Sequence, residues 1–102
     1  MLMKRDKRNL LKKMARIFGN ETNLKIILSL DESRKQSFSE LKRSCVACSP
    51  SINYSLTVLI AEGLIERIEK GKKKKKVYYE LTEYGKKCVD IIRKFLSIRK
   101  NH

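Results

Sequence analysis

Histidine occurs once in this 102-residue chain, at the last position, and glycine only four times. With no imidazole beside a nucleophile and no glycine-rich phosphate-binding motif, the sequence holds nothing from which to build an activated nucleophile or a nucleotide cradle. An enzyme is not expected. No apolar run approaches the roughly 20 residues of a membrane-spanning helix, and the opening MLMKRDKRNLLKK is too charged for a signal peptide. A cytoplasmic protein is expected. Cysteine is scarce and odd in number, three residues, which argues against a secreted disulfide framework. Acids are few as well: 11 Asp and Glu face 25 Lys and Arg, a net charge of +14. Such an excess opposes compaction by self-repulsion and favours a polyanionic partner, nucleic acid ahead of an anionic membrane surface. With 41% hydrophobic residues, the length suits one modest core and therefore one domain.

What is present reads as a series of helices and one hairpin. Residues 4–8 form a basic arm, KRDKR. Leu10, Met14, Ile17 and Phe18 then recur at helical spacing, predicting a first helix of about three turns that stops at Gly19. Asn20 is placed to cap a second helix carrying Leu24, Ile27 and Leu28, broken by the polar run DESRKQS. Ser37 and Glu40 have the spacing of a capping box, which starts a third, two-turn helix near Phe38 that runs through Leu41 to about Cys45. A linker without glycine, Val46-Ala47-Cys48, leads to Ser49 as cap and Pro50 as first helical residue of a fourth helix. Ile52, Leu56, Leu59 and Ile60 give this helix its apolar stripe, and Gly63 ends it. The opposite face carries Ser51, Tyr54, Thr57 and Val58 with Asn53 at its edge, a polar and uncharged set able to reach base edges.

After Gly63 the apolar period drops to about 2. Leu64, Glu66 and Ile68 share one side of an extended run; beyond Gly71, Val77, Tyr79 and Leu81 share one side and Tyr78 and Glu80 the other. A β-hairpin is predicted, with Lys70, Lys72, Lys73, Lys74, Lys75 and Lys76 at its tip. Exposed like charges cannot pack together, so these lysines must project into solvent or onto an anion, and their place behind a candidate reading helix favours DNA phosphate. Thr82 is placed to cap a last helix with a broad stripe of Cys88, Ile91, Ile92, Phe95 and Leu96.

In this order the elements resemble the winged helix-turn-helix transcription regulators, nearest the ArsR-like group with MarR-like relatives, over about Ile17 to Leu96. Asn20-Glu21-Thr22-Asn23-Leu24-Lys25-Ile26-Ile27 resembles the group's Asp-Pro-Thr-Arg-Leu-Arg-Ile-Leu. Ile52-Asn53-Tyr54-Ser55-Leu56, followed by Leu59 and Gly63-Leu64-Ile65, is similar to its recognition pattern Val-Ser-Arg-His-Leu, then Leu, then Gly-Leu-Val. Val77-Tyr78-Tyr79 through Leu81-Thr82 resembles its second wing strand. The resemblance implies a mainly α winged helix of about five helices with a small β-hairpin, sequence-specific binding of duplex DNA, usually repression, and a homodimer. It places base contacts at Pro50, Ser51, Asn53, Tyr54 and Thr57. Tyr54 and Ser55 stand where the group carries basic residues, so positive charge has moved to the wing and the N-terminal arm.

On this reading residues 1–18 are the arm and first helix, 37–63 the helix-turn-helix, 64–82 the wing and 83–99 a C-terminal dimerisation helix. Leu10, Met14, Ile17 and Phe18 at one end and Ile91, Ile92, Phe95 and Leu96 at the other form the expected dimer interface. Cys45 and Cys48 suggest the Cys-x-Cys metal pair of ArsR-like sensors, but their spacing differs, and tetrahedral zinc would have only Cys88 and His102 to complete it. No metal and no cofactor are expected; the thiols read as packed or inert, with a redox-active pair as the alternative. Rival functions are a non-specific architectural DNA coat, an RNA-binding protein, which lacks recognisable aromatic stacking platforms, and a polybasic membrane binder without a lipid anchor.

Overall fold

The computed structural model describes the backbone of residues 5–100 and the side chains of residues 7–98. Lys4 of the expected basic arm and His102 of the candidate ligand set lie outside the described residues. The elements are α1 (Arg5–Phe18), α2 (Glu21–Glu32), α3 (Phe38–Cys45), α4 (Ser49–Ala61), β1 (Ile65–Lys70), β2 (Lys76–Leu81) and α5 (Glu83–Lys100). Five helices and one antiparallel hairpin make a winged helix. The expected arm is not separate, since α1 takes in residues 5–8.

Local chemistry sets most boundaries. The Asn20 side chain accepts from the Asn23 N–H at 3.1 Å and opens α2. Ser37 accepts from the Glu40 N–H while the Glu40 carboxylate accepts from the Ser37 N–H, the reciprocal pair that satisfies two otherwise free donors at the start of α3. The Thr82 hydroxyl accepts from the Gly85 N–H at 3.0 Å and donates to the Gly63 carbonyl at 2.6 Å, so one side chain caps α5 and ties it to the residue just past α4.

Helix α2 occupies the centre, with Ile26 and Ile27 fully buried; α1, α3, α4, α5 and β2 all pack on it. Its core residues are Ile26, Ile27 and Leu30, while Leu24 and Leu28, expected to lead the stripe, are half-buried. Buried Asn23 donates from its amide to the Arg16 and Ile17 carbonyls at 3.2 and 3.0 Å, satisfying the last turn of α1 from the side of α2. Gln36, 3% exposed, holds the connection between α2 and α3. Its Nε2 donates to the Ser29 carbonyl and hydroxyl, both at 2.8 Å, and its Oε1 accepts from the Ser44 hydroxyl at 2.8 Å. Its backbone pairs with Tyr79 of β2 in a single antiparallel bridge that sequence periodicity does not reveal.

The hairpin register runs from Ile65 opposite Leu81 to Lys70 opposite Lys76. Val77, Tyr79 and Leu81 share a face, as the alternation predicts, and Ile65 leads the matching face of β1. Leu64 lies ahead of the strand and is buried too, its N–H bonded to the Leu59 carbonyl, so two consecutive apolar residues enter the core where helix gives way to strand. Gly63, at φ 81°, makes that change of direction possible.

Candidate nucleic-acid interface

The turn between α3 and α4 closes on an unusual residue. Val46 caps α3 at φ 49° and ψ 55°, in the left-handed region that β-branched residues avoid, with its side chain 85% exposed. Its N–H reaches the Arg43 carbonyl at 3.3 Å and the Ala47 N–H reaches the Lys42 carbonyl at 3.2 Å, so the carbonyls ending α3 are satisfied without glycine. The following cap lies one residue earlier than expected. Cys48, extended at φ −77° and ψ 157°, is the N-cap, Ser49 is already helical, and Pro50 sits inside the first turn, where its missing N–H costs no bond.

Around α4 the exposed set is Asn53, Tyr54 at 60% and Thr57, with Pro50 exposed and Ser51 half-buried at the N-terminal end. The Thr57 hydroxyl donates to the Asn53 carbonyl at 2.9 Å, which leaves its lone pairs for an incoming donor. Two assignments on this helix are corrected. Val58, expected on the open face, is 7% exposed, and Ile60, expected in the core, is 38% exposed. Packing against α2, α3 and β1 encloses α4 on a broader arc than one apolar stripe, and it buries Ser55 completely as well.

The wing presents Lys70 and Lys72 to Lys76 as exposed side chains. They are not equally free: the Lys75 amine lies 3.7 Å from the Glu69 carboxylate, which Arg67 also engages. Behind the turn, Lys42 and Arg43 add two exposed cations on α3.

The two end helices show the expected apolar surface in part. Leu10 at 59%, Met14, Ile91, Phe95 and Leu96 are exposed. Ile17, assigned to the interface from its spacing, is 3% exposed and belongs to the core cluster, and Phe18 and Ile92 are half-buried against that cluster. Leu11 and Ile98 are exposed and were not singled out, though Ile98 continues the spacing of Ile91 and Phe95. Arg93 of α5 pairs with Asp31 of α2 at 2.7 Å, fixing the middle of α5 against the end of α2.

The cysteines part company. Cys45 and Cys88 are buried, and burial pushes both thiols above the usual cysteine value. Cys48 is exposed, its sulfur 3.2 Å from the Ser51 hydroxyl, and that contact lowers its pKa. It is thus an exposed thiol, not a packed one. Among the described residues no group of three or more His, Cys, Asp or Glu side chains is arranged to hold a metal ion. No single described helix is long and apolar enough to cross a membrane.

A short helix, a three-residue turn, a helix with an open uncharged face and a lysine-tipped hairpin together define a winged helix-turn-helix transcription regulator. The chain belongs to the HxlR-like helix-turn-helix family, whose profile matches residues 17–102. The resemblance read as ArsR-like is therefore placed in the HxlR-like family, and the winged helix-turn-helix class stands. The family is one of transcription regulators, not of enzymes. Among solved structures, the chain is similar to the HTH-type transcriptional regulator ytcD, with 30% identity, a TM-score of 0.80, and 91% of this chain and 95% of that chain covered. It is also similar in fold to a MarR-family regulator from Porphyromonas gingivalis W83, at 24% identity and TM-score 0.77 over 98% of this chain and 96% of that one. The oxidised form of the redox regulator HypR shares the fold at 20% identity and TM-score 0.77, over 90% of this chain and 95% of that one. Among curated proteins, none matches.

Proposed function

We propose that this protein is a cytoplasmic, sequence-selective repressor that binds duplex DNA as a homodimer. The observation that carries the reading is the open face of α4, where Asn53, Tyr54 and Thr57 offer amide and hydroxyl groups with no charge among them, beside a wing bearing exposed lysines. Uncharged donors and acceptors of this reach discriminate base edges in the major groove, whereas lysine is a point charge on a flexible stem that suits phosphate. Pro50 and Ser51 complete the reading end of α4; Lys70 and Lys72 to Lys76 set strength. The chain acts as one domain, with α1 and α5 joining two copies through Leu10, Met14, Ile91, Phe95 and Leu96, their exposed apolar residues. Such a dimer places two recognition helices about 34 Å apart, one turn of duplex, and represses by occluding the site.

Selection of bound duplexes from a random pool, followed by affinity measurements at one salt concentration, tests this. An inverted repeat should emerge, with Asn53→Ala or Tyr54→Ala costing about 1–3 kcal/mol on that site and much less on random DNA. Substituting two wing lysines should weaken every sequence alike and lower the salt slope by about 0.9 for each lost phosphate contact. Equal weakening of selected and random DNA by the α4 substitutions would instead favour an architectural DNA coat. A monomer in sedimentation at micromolar concentration would remove the dimer.

A further inference from the structure

At the base of the wing tip the fold brings in a cation from far away in sequence. Gln36 and Tyr79 exchange backbone hydrogen bonds at 3.1 and 2.8 Å, so Gln36 lies in an antiparallel bridge beside β2. Side chains alternate across a sheet. Gln36 is buried on the core side, which puts Lys35 on the outer face. There the Lys35 amine stands 5.8 Å from the centre of the Tyr78 ring, within cation–π range. Tyr78 pairs with Ile68, and one step toward the tip on the same face Lys70 opposes Lys76. Lys35 and Lys70 lie close enough that contact between the two amines lowers the Lys35 pKa, an effect that the Glu80 carboxylate, level with Lys35 beside β2, only partly offsets. Among the described residues none of Lys35, Lys70 and Lys76 has a carboxylate within ion-pair distance.

Like charges held side by side with no carboxylate in ion-pair contact repel one another, and an anion shared among them relieves that repulsion. The far end of the same face selects the kind of anion. Glu66 opposes Glu80 there, two steps from the lysine pair. A flat anionic membrane lying on this face would meet both carboxylates, whereas a nucleic-acid backbone crossing nearer the tip meets Lys70, Lys76 and the Lys35 amine over the Tyr78 ring, with Glu80 alone beside it.

We propose that Lys35, Lys70 and Lys76 on the outer face of the wing hold duplex backbone beyond the groove occupied by α4, extending the footprint past each half-site. This rests on the duplex-binding reading above and adds a path for the DNA. Lys35, supplied by the connection ahead of α3, is the residue that makes the strip continuous.

The test compares Lys35→Gln and the charge-keeping Lys35→Arg on two duplexes with the same centre. One ends at the half-sites; the other extends by about one helical turn, 10 bp, on each side. On the longer duplex Lys35→Gln should lower the salt slope by about 0.9 per bound subunit. On the shorter one it should change nothing, and Lys35→Arg should behave as the parent does on both. An equal change on both duplexes, or none on either, overturns the proposal. So does a loss of binding to phosphatidylserine vesicles with the long-duplex slope intact. Failure of the unmodified protein to prefer a selected site would sink the repressor reading alone, because the slope comparison is run equally well on random duplexes of the two lengths.

Discussion

Replacing Val46 by glycine should make the protein more stable, although a buried valine usually costs dearly to remove. At φ 49° and ψ 55° the Val46 backbone is left-handed, a conformation that costs an L-residue about 1–2 kcal/mol, with β-branched side chains among the least tolerant. The side chain is 85% exposed, so its removal forfeits almost no burial, and both backbone hydrogen bonds of the turn survive. Against the gain stands the extra freedom of glycine in the unfolded chain, about 0.5–1 kcal/mol. Taking the middle of both ranges, the net expectation is a stabilisation of roughly 0.5–1 kcal/mol, which raises the thermal midpoint by about 2–8 °C for a domain of this size. Val46→Ala, which removes the β-branch but keeps the Cβ, should gain less. Urea and thermal unfolding followed by circular dichroism, at one protein concentration because the proposed dimer would add to apparent stability, would measure it. A midpoint for Val46→Gly at or below that of the parent, with an unchanged urea m-value, would refute the reasoning: the turn would then be held by the valine side chain.

Gly85 is buried where the first turn of α5 passes the Leu64 carbonyl, and an added Cβ would overlap that oxygen; Gly85→Ala should lower stability by about 1–3 kcal/mol in the same urea titration. Iodoacetamide should label Cys48 well before Cys45 or Cys88, since only Cys48 is exposed and has a lowered pKa. Ser51→Ala should slow that reaction near neutral pH, and peptide mapping after timed quenching gives the order. The Ser37 N–H and hydroxyl hold the Glu40 carboxyl below its ordinary value of 4.5. A depressed folded pKa contributes stability that is present above the unfolded value and lost as pH falls through the folded one. Glu40→Gln should therefore be less stable than the parent at neutral pH, with the gap closing below pH 4.5; a gap independent of pH would show that the carboxylate charge plays no part.

The elements legible in the sequence are those whose signals are local. Asn20, the Ser37 and Glu40 pair, and Thr82 each act on backbone groups within three residues, so their spacing alone places three helix starts correctly. The Val46 turn was opaque for the opposite reason: the propensity of valine argues against the conformation it adopts, and only the docking of α3 and α4 imposes it. The exchange of Val58 for Ile60 has a similar origin. A helical wheel assumes one buried face, but α4 is enclosed by three neighbours from elsewhere in the chain. Ile17 followed its helical spacing into the expected interface because nothing in α1 announces that α2 would cover it. Lys35 was missed since its partners, Tyr78 and Lys70, are more than thirty residues away and meet it only through the pairing of Gln36 with Tyr79.

Gln36 uses both ends of its side-chain amide and both backbone groups, on α2, α3 and β2 at once. The hairpin and the helix-turn-helix are thereby pinned to the same buried point, like the two jaws of a calliper sharing one pivot. On the proposed mode of binding, a duplex gripped between them would be measured as well as read. DNA whose grooves are too wide or too narrow would leave one jaw unfilled, even where every base edge facing α4 is correct, and base steps that never touch the protein would gain a say in whether it binds.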